Sequence, residues 1–153
     1  MKRDSLDPIL KEIYTYFDFL FAKGYRIKEA KTLSMGSWKI TLDSPDMSID
    51  IFNDQGEINL LFSPTNNSDY RNQFGIRTII DYLSHGKSHI GKFERHLFGN
   101  RKKRLQMLAG LLAEYLDQIT PCFGDNFQKN KPGLFLAREE RNDIFMERYM
   151  RKG

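Results

Sequence analysis

Cysteine occurs once in the 153 residues, at Cys122. A lone thiol excludes an internal disulfide and a multi-cysteine zinc site, and it predicts a reducing, cytoplasmic location. Long apolar runs are also missing: none approaches the roughly 18 residues that cross a bilayer. That lack predicts no membrane partner, and the charged opening MKRDSLDP predicts no signal peptide. The familiar catalytic signatures are lacking too: there is no GxSxG elbow, no Gly-rich dinucleotide loop and no HExxH. Gly86-Lys87-Ser88 has the last residues of a phosphate-binding loop, but that loop needs a further Gly where Asp81 stands. His85, His89 and His96 cluster, and the first two have a spacing that suits two ligands on one helix face. Gly86 interrupts that helix, and Glu94 is the only nearby carboxylate, so they read as surface histidines in a basic loop. Cys122 has no His beside it and reads as a small, half-buried hydrophobe. The chain is therefore expected not to be an enzyme and to use no cofactor and no metal.

What is present is ample material for a core. Hydrophobic residues make up 40%, with twelve Phe, seven Tyr and one Trp. A stripe of Leu6, Ile9, Leu10, Ile13, Phe17, Leu20 and Phe21 predicts a helix over about 5–23, stopped by Gly24. Phe19 falls well off that stripe. Residues 25–33 read as an edge strand. From Trp38 to Phe62 three short runs then alternate apolar and polar residues, which buries one sheet face. Matching the apolar residues predicts Trp38 opposite Ile51, Ile40 opposite Ile49 and Leu42 opposite Met47. In the next hairpin Ile51 meets Ile58 and Ile49 meets Leu60, which leaves Lys39 opposite Asp50 on the wet face.

Helices follow over about 76–84 and 100–119, and a last charged helix from Phe135 comes after a Gly/Pro-rich connector over 121–134. The expected class is α+β: an N-terminal helix, a four-stranded antiparallel meander, then about three helices. Residues 1–120 form one domain in this reading. Segment 121–153 docks on that domain (on the outer sheet face or over Phe19) or on a second subunit, making the protein a monomer or a homodimer.

Charge is divided along the chain. Residues 1–80 hold ten basic against eleven acidic residues, and residues 81–153 hold fourteen against nine. Between Lys39 and Arg71 there are six acids and no base. Asp43, Asp46, Asp50, Asp54 and Glu57, together with Phe52 on the outer face, form a candidate acidic docking surface for a protein partner. The basic counterpart is Lys87, Lys92, Arg95, Arg101, Lys102, Lys103 and Arg104. Four of these stand at a helix N-terminus, where positive charge opposes the macrodipole. Either that start is simply solvated, or it contacts an anion such as nucleic acid, an acidic partner or an acidic surface of this chain.

A helix ending FLFAKGY, then GSWKITL, SIDIFNDQGEINLLFSP and a helix with IRTIIDYL resembles small bacterial immunity-type proteins of polymorphic and contact-dependent toxin systems. The likeness covers about residues 6–84 and rests on element order. Segment 87–104 and the long last helix depart from it. The resemblance implies a non-enzymatic inhibitor that neutralises a toxin or effector by binding it, often through an acidic face. The alternative is a nucleic-acid or anion-binding module built on 87–104.

Overall fold

The computed structural model describes residues 6–67, 69–85 and 100–152, with the side chains of the last helix described through residue 139. The class is α+β, and the sheet is antiparallel with five strands in the order β1-β2-β3-β4-β5. These are β1 Arg26–Thr32, β2 Trp38–Asp43, β3 Met47–Asp54, β4 Glu57–Pro64 and β5 Phe74–Gly75. The short fifth strand is absent from the four-stranded expectation. At two residues it carries no alternation to read, and it exists because Phe74 pairs with Phe62 and Gly75 with Leu61.

Period-two patterning placed the correct residues on the buried face: Trp38, Ile40, Leu42, Ile49, Ile51, Ile58 and Leu60 are all buried. The register differs by two residues in both hairpins. Trp38 faces Asn53, Ile40 faces Ile51 and Leu42 faces Ile49. Ile51 faces Leu60 and Ile49 faces Phe62. A slip of two keeps every side chain on its own face, so hydrophobicity does not discriminate between the two registers; the turns do. Gln55 and Gly56 both take positive φ, 53° and 97°, and close a two-residue turn between Asp54 and Glu57. That is the primed geometry matched to strand twist. In the β2–β3 loop, which contains Pro45, the Ser44 hydroxyl accepts from the Met47 amide at 3.2 Å, and no primed turn forms. Consequently Lys39 faces Phe52, and Asp50 faces Thr41.

The first helix is broken. α1 Asp7–Tyr16 and α2 Asp18–Ala22 meet at Phe17, whose φ/ψ of −108°/25° leaves the helical region. Helical phase changes there, which brings Phe19 into contact with the core that a straight helix would deny it. α3 is Ile76–Ser84, α4 is Arg101–Ile119 and α5 is Phe127–Lys152. α4 lies against α1, α3 and β4. Its Leu105, Leu108, Leu112 and Leu116 are buried.

α5 begins eight residues before the expected Phe135. Pro132 and Gly133 read as breakers in the sequence, yet they lie inside the helix. Tertiary contacts offset the lost hydrogen bond. Phe74 meets Phe127 at 6.3 Å and Phe135 at 5.5 Å between ring centroids. The Tyr82 hydroxyl donates to Asn130 Oδ1 at 2.7 Å. A Cβ on Gly133 would sit 2.4 Å from the Tyr82 ring, so only glycine permits this approach of α5 to α3. The last helix thus docks beside α3 and β5.

Candidate functional site

The six residues expected to form one acidic face are divided by the tertiary structure. Asp50 is buried on the central strand, accepting from Thr41 Oγ1 at 2.6 Å and Gln73 Nε2 at 3.0 Å. Asp43 is half-buried; it accepts from the Ser48 hydroxyl and lies 3.6 Å from Lys28 Nζ. Asp46 is exposed on the β2–β3 loop, where its carbonyl accepts from the Gly124 amide at 3.1 Å. Phe52 is half-buried between Lys39 and Asn59. Asp54 and Glu57 stand at the other end of the sheet, both exposed and paired directly across the hairpin. Among the described residues, no cation forms an ion pair with either. Two of the six therefore remain as an unneutralised pair at one tip.

The basic cluster is likewise divided. Lys87, Lys92 and Arg95 lie outside the described residues, as do His89 and His96. Arg101 binds Glu12 bidentately, Nε to Oε1 at 2.8 Å and Nη2 to Oε2 at 2.7 Å. That hydrogen-bonded carboxylate raises the Arg101 pKa. Arg104 is buried and donates from Nε to the Ile58 carbonyl at 2.9 Å and from Nη2 to Asn59 Oδ1 at 3.4 Å. Lys102 and Lys103 are exposed, and the Asn100 side chain caps the helix by accepting from the Lys103 amide. Two of the four helix-start cations thus hold α4 to α1 and β4. Glu12 is a signal that the sequence carried unread: a lone carboxylate beside Ile9 and Ile13 on an apolar stripe needs a cation.

His85 terminates α3 in the left-handed region at φ 55°. Among the described residues, no group of three or more His, Cys, Asp or Glu is arranged to hold a metal. Cys122 is buried, and burial pushes its thiol pKa up, away from nucleophile chemistry.

A cleft of about 370 Å³ opens beside the Asp54–Glu57 tip, on the inner-face side. Its apolar walls are Leu6, Ile9 of α1, Leu33, Trp38 and Ile58. Thr32, Asn53 and Arg101 add polar groups. Two turns are stitched together at its mouth. Ser37 Oγ accepts from the Gln55 amide at 3.1 Å, and Asn53 Oδ1 accepts from the Gly56 amide at 2.9 Å. Gln55 Nε2 also reaches Met35 Sδ at 3.6 Å. Met35 has φ 60° and is 80% exposed, and Leu33 is 36% exposed. A bulky residue in the left-handed region with its side chain in solvent is uncommon outside turns. Of the expected site residues among those described, only Arg101 lines this cleft, because β1, the Ser34–Gly36 turn, α1 and α4 meet only in three dimensions. No protein-family model, curated protein or solved structure matches the chain. Among the described residues, no helix is long and apolar enough to cross a membrane.

Proposed function

We propose that the protein is a non-enzymatic binding protein that captures a basic surface of a protein partner at the β3–β4 tip, as an immunity-like inhibitor captures a toxin or effector. The observation that carries this reading is the Asp54–Glu57 pair. Like charges placed directly across a hairpin destabilise it, so the pair does nothing for the fold, and a partner's Lys or Arg would relieve it. Phe52, behind the tip on the same face, and exposed Met35 and Leu33 supply apolar contact next to the charge. Asp50 and Asp43 serve the sheet and are withdrawn from the surface in this reading.

The test is capture of an identified partner from the native host by the immobilised protein, repeated with Asp54→Lys/Glu57→Lys. The variant is expected to lose capture at least tenfold, because two attractions become repulsions, while its melting temperature stays close to that of the parent. Undiminished capture by the variant overturns the reading. The nucleic-acid alternative retains exposed Lys102 and Lys103, and it predicts retardation of DNA or RNA in a low-salt gel shift that vanishes as salt rises.

A further inference from the structure

The cleft and the acidic pair occupy opposite sides of the same hairpin tip. Asn53 and Ile58 of the inner face line the cleft, whereas Asp54 and Glu57, one residue further along each strand, point to the outer face. Gly56, in the turn between them, lines the cleft itself. Successive side chains of an extended chain also point to opposite sides. We infer that the occupant of the cleft is an extended segment of a basic protein partner, in which a large apolar side chain enters the cleft and the neighbouring Lys or Arg falls on Asp54 and Glu57. This inference rests on the acidic-capture reading and extends it to the side-chain sequence the site selects.

The chemistry of the cleft favours an apolar anchor over a charged one. The guanidinium of Arg101 is neutralised by Glu12 at 2.7 Å, so the cleft carries no net charge from that pair. The remaining walls join aliphatic Leu6, Ile9, Leu33 and Ile58 and the indole of Trp38 to uncharged Thr32, Ser37 and Asn53. The volume is near the lower end of ligand pockets, roughly 300–1,000 Å³, which suits one side chain rather than a cofactor. Lys102 and Lys103, the exposed cations next to Arg101 on α4, are not among the residues that line the cleft. An anchor buried in a small pocket and flanked by charge is the usual anatomy of an interface hot spot.

Trp38 is the only tryptophan of the chain, so its fluorescence reports on the cleft without labelling. The experiment titrates the full-length protein with three capped tripeptides, lysyl-phenylalanyl-lysine, lysyl-alanyl-lysine and glutamyl-phenylalanyl-glutamate, up to about 10 mM. Trp38 emission and the Gly56 amide resonance are followed together. The first peptide is expected to saturate both signals and to bind about tenfold more tightly than either of the others. In Asp54→Lys/Glu57→Lys that advantage over the glutamyl peptide should vanish. Equal binding of the lysyl-alanyl and lysyl-phenylalanyl peptides would mean that the cleft takes no anchor, overturning this inference while leaving acidic capture intact. Equal binding of the lysyl and glutamyl phenylalanine peptides would instead overturn the role of the acidic pair, and acidic capture with it. No saturable change with any peptide overturns the inference, and partner capture by the parent protein then decides the wider reading by itself.

Discussion

Asp50 shows how a surface-type residue becomes structural through its neighbours. It sits on the face of β3 opposite the core, yet Thr41 and Gln73 both donate to it, and it is 6% exposed. Replacing it by Ala would leave those two donors without their acceptor. Hydrogen bonds to a charged group are worth about 1.5–3 kcal/mol. Asp50→Ala is therefore expected to lower unfolding free energy by roughly 2–3 kcal/mol, seen as an earlier urea midpoint, whereas charge reversal at Asp54 should leave the midpoint nearly unmoved. The same logic separates Arg104 from Lys102: one donates to the β4 backbone, and the other is exposed. Composition grouped these residues, and only their partners distinguish them.

At the scale of elements, the docking of α5 on α3 turns on Gly133. Alanine is the better helix former by about 1 kcal/mol, so propensity alone predicts that Gly133→Ala stabilises α5. Contact predicts the reverse, because the new Cβ would meet the Tyr82 ring at 2.4 Å. Overpacking of this kind costs about 1–3 kcal/mol. Gly133→Ala is accordingly expected to destabilise the protein in thermal melts, and adding Tyr82→Ala should recover part of the loss by removing the ring. Stabilisation by the single change would show that the two helices do not meet this closely. The edge strand β1 is managed differently. Lys28 has no partner in the β1–β2 ladder and marks a bulge, and the charged Lys28, Glu29 and Lys31 lie along the strand, a pattern that discourages pairing with other chains.

For the molecule as a whole, Cys122 and Tyr25 are two buried groups that contribute to a loss of stability at alkaline pH. Burial raises the thiol pKa of Cys122. Burial also raises that of the Tyr25 phenol; the Asp46 carboxylate adds to the shift, and a hydrogen bond with Ser44 opposes it. Both groups stay protonated when folded at a pH where the unfolded chain has begun to release its protons. The folded state then binds more protons than the unfolded state, and stability falls with rising pH. Their contribution is complete below the ordinary thiol pKa and is lost progressively as pH rises from there through the raised pKa values. Urea midpoints should decline across the alkaline range, with a shallower decline in Cys122→Ala and Tyr25→Phe. A slope unchanged in both variants would assign the effect to other groups.

By itself the sequence determined which residues face the core and which class of fold they build. Alternation at two and stripes near 3.6 are local properties, and burial of Trp38, Ile40, Ile49, Ile51 and the Leu105–Leu116 stripe follows directly from them. It did not determine register, because a slip of two residues preserves every face; the positive φ of Gln55 and Gly56 decided that. Nor did it determine the break at Phe17 or a helix running through Pro132, where tertiary contacts override local preference. The site divides in the same way. Sequence marked Asp54 and Glu57 as acidic and exposed, but a charge is free or spent only in relation to partners distant in sequence. Glu12 meets Arg101 across 89 positions and Gln73 meets Asp50 across 23. The cleft beside the tip is assembled from α1, β1, β2, β3, β4 and α4 at once. Such concavities are properties of packed elements, so only the tertiary structure could place one next to the acidic pair.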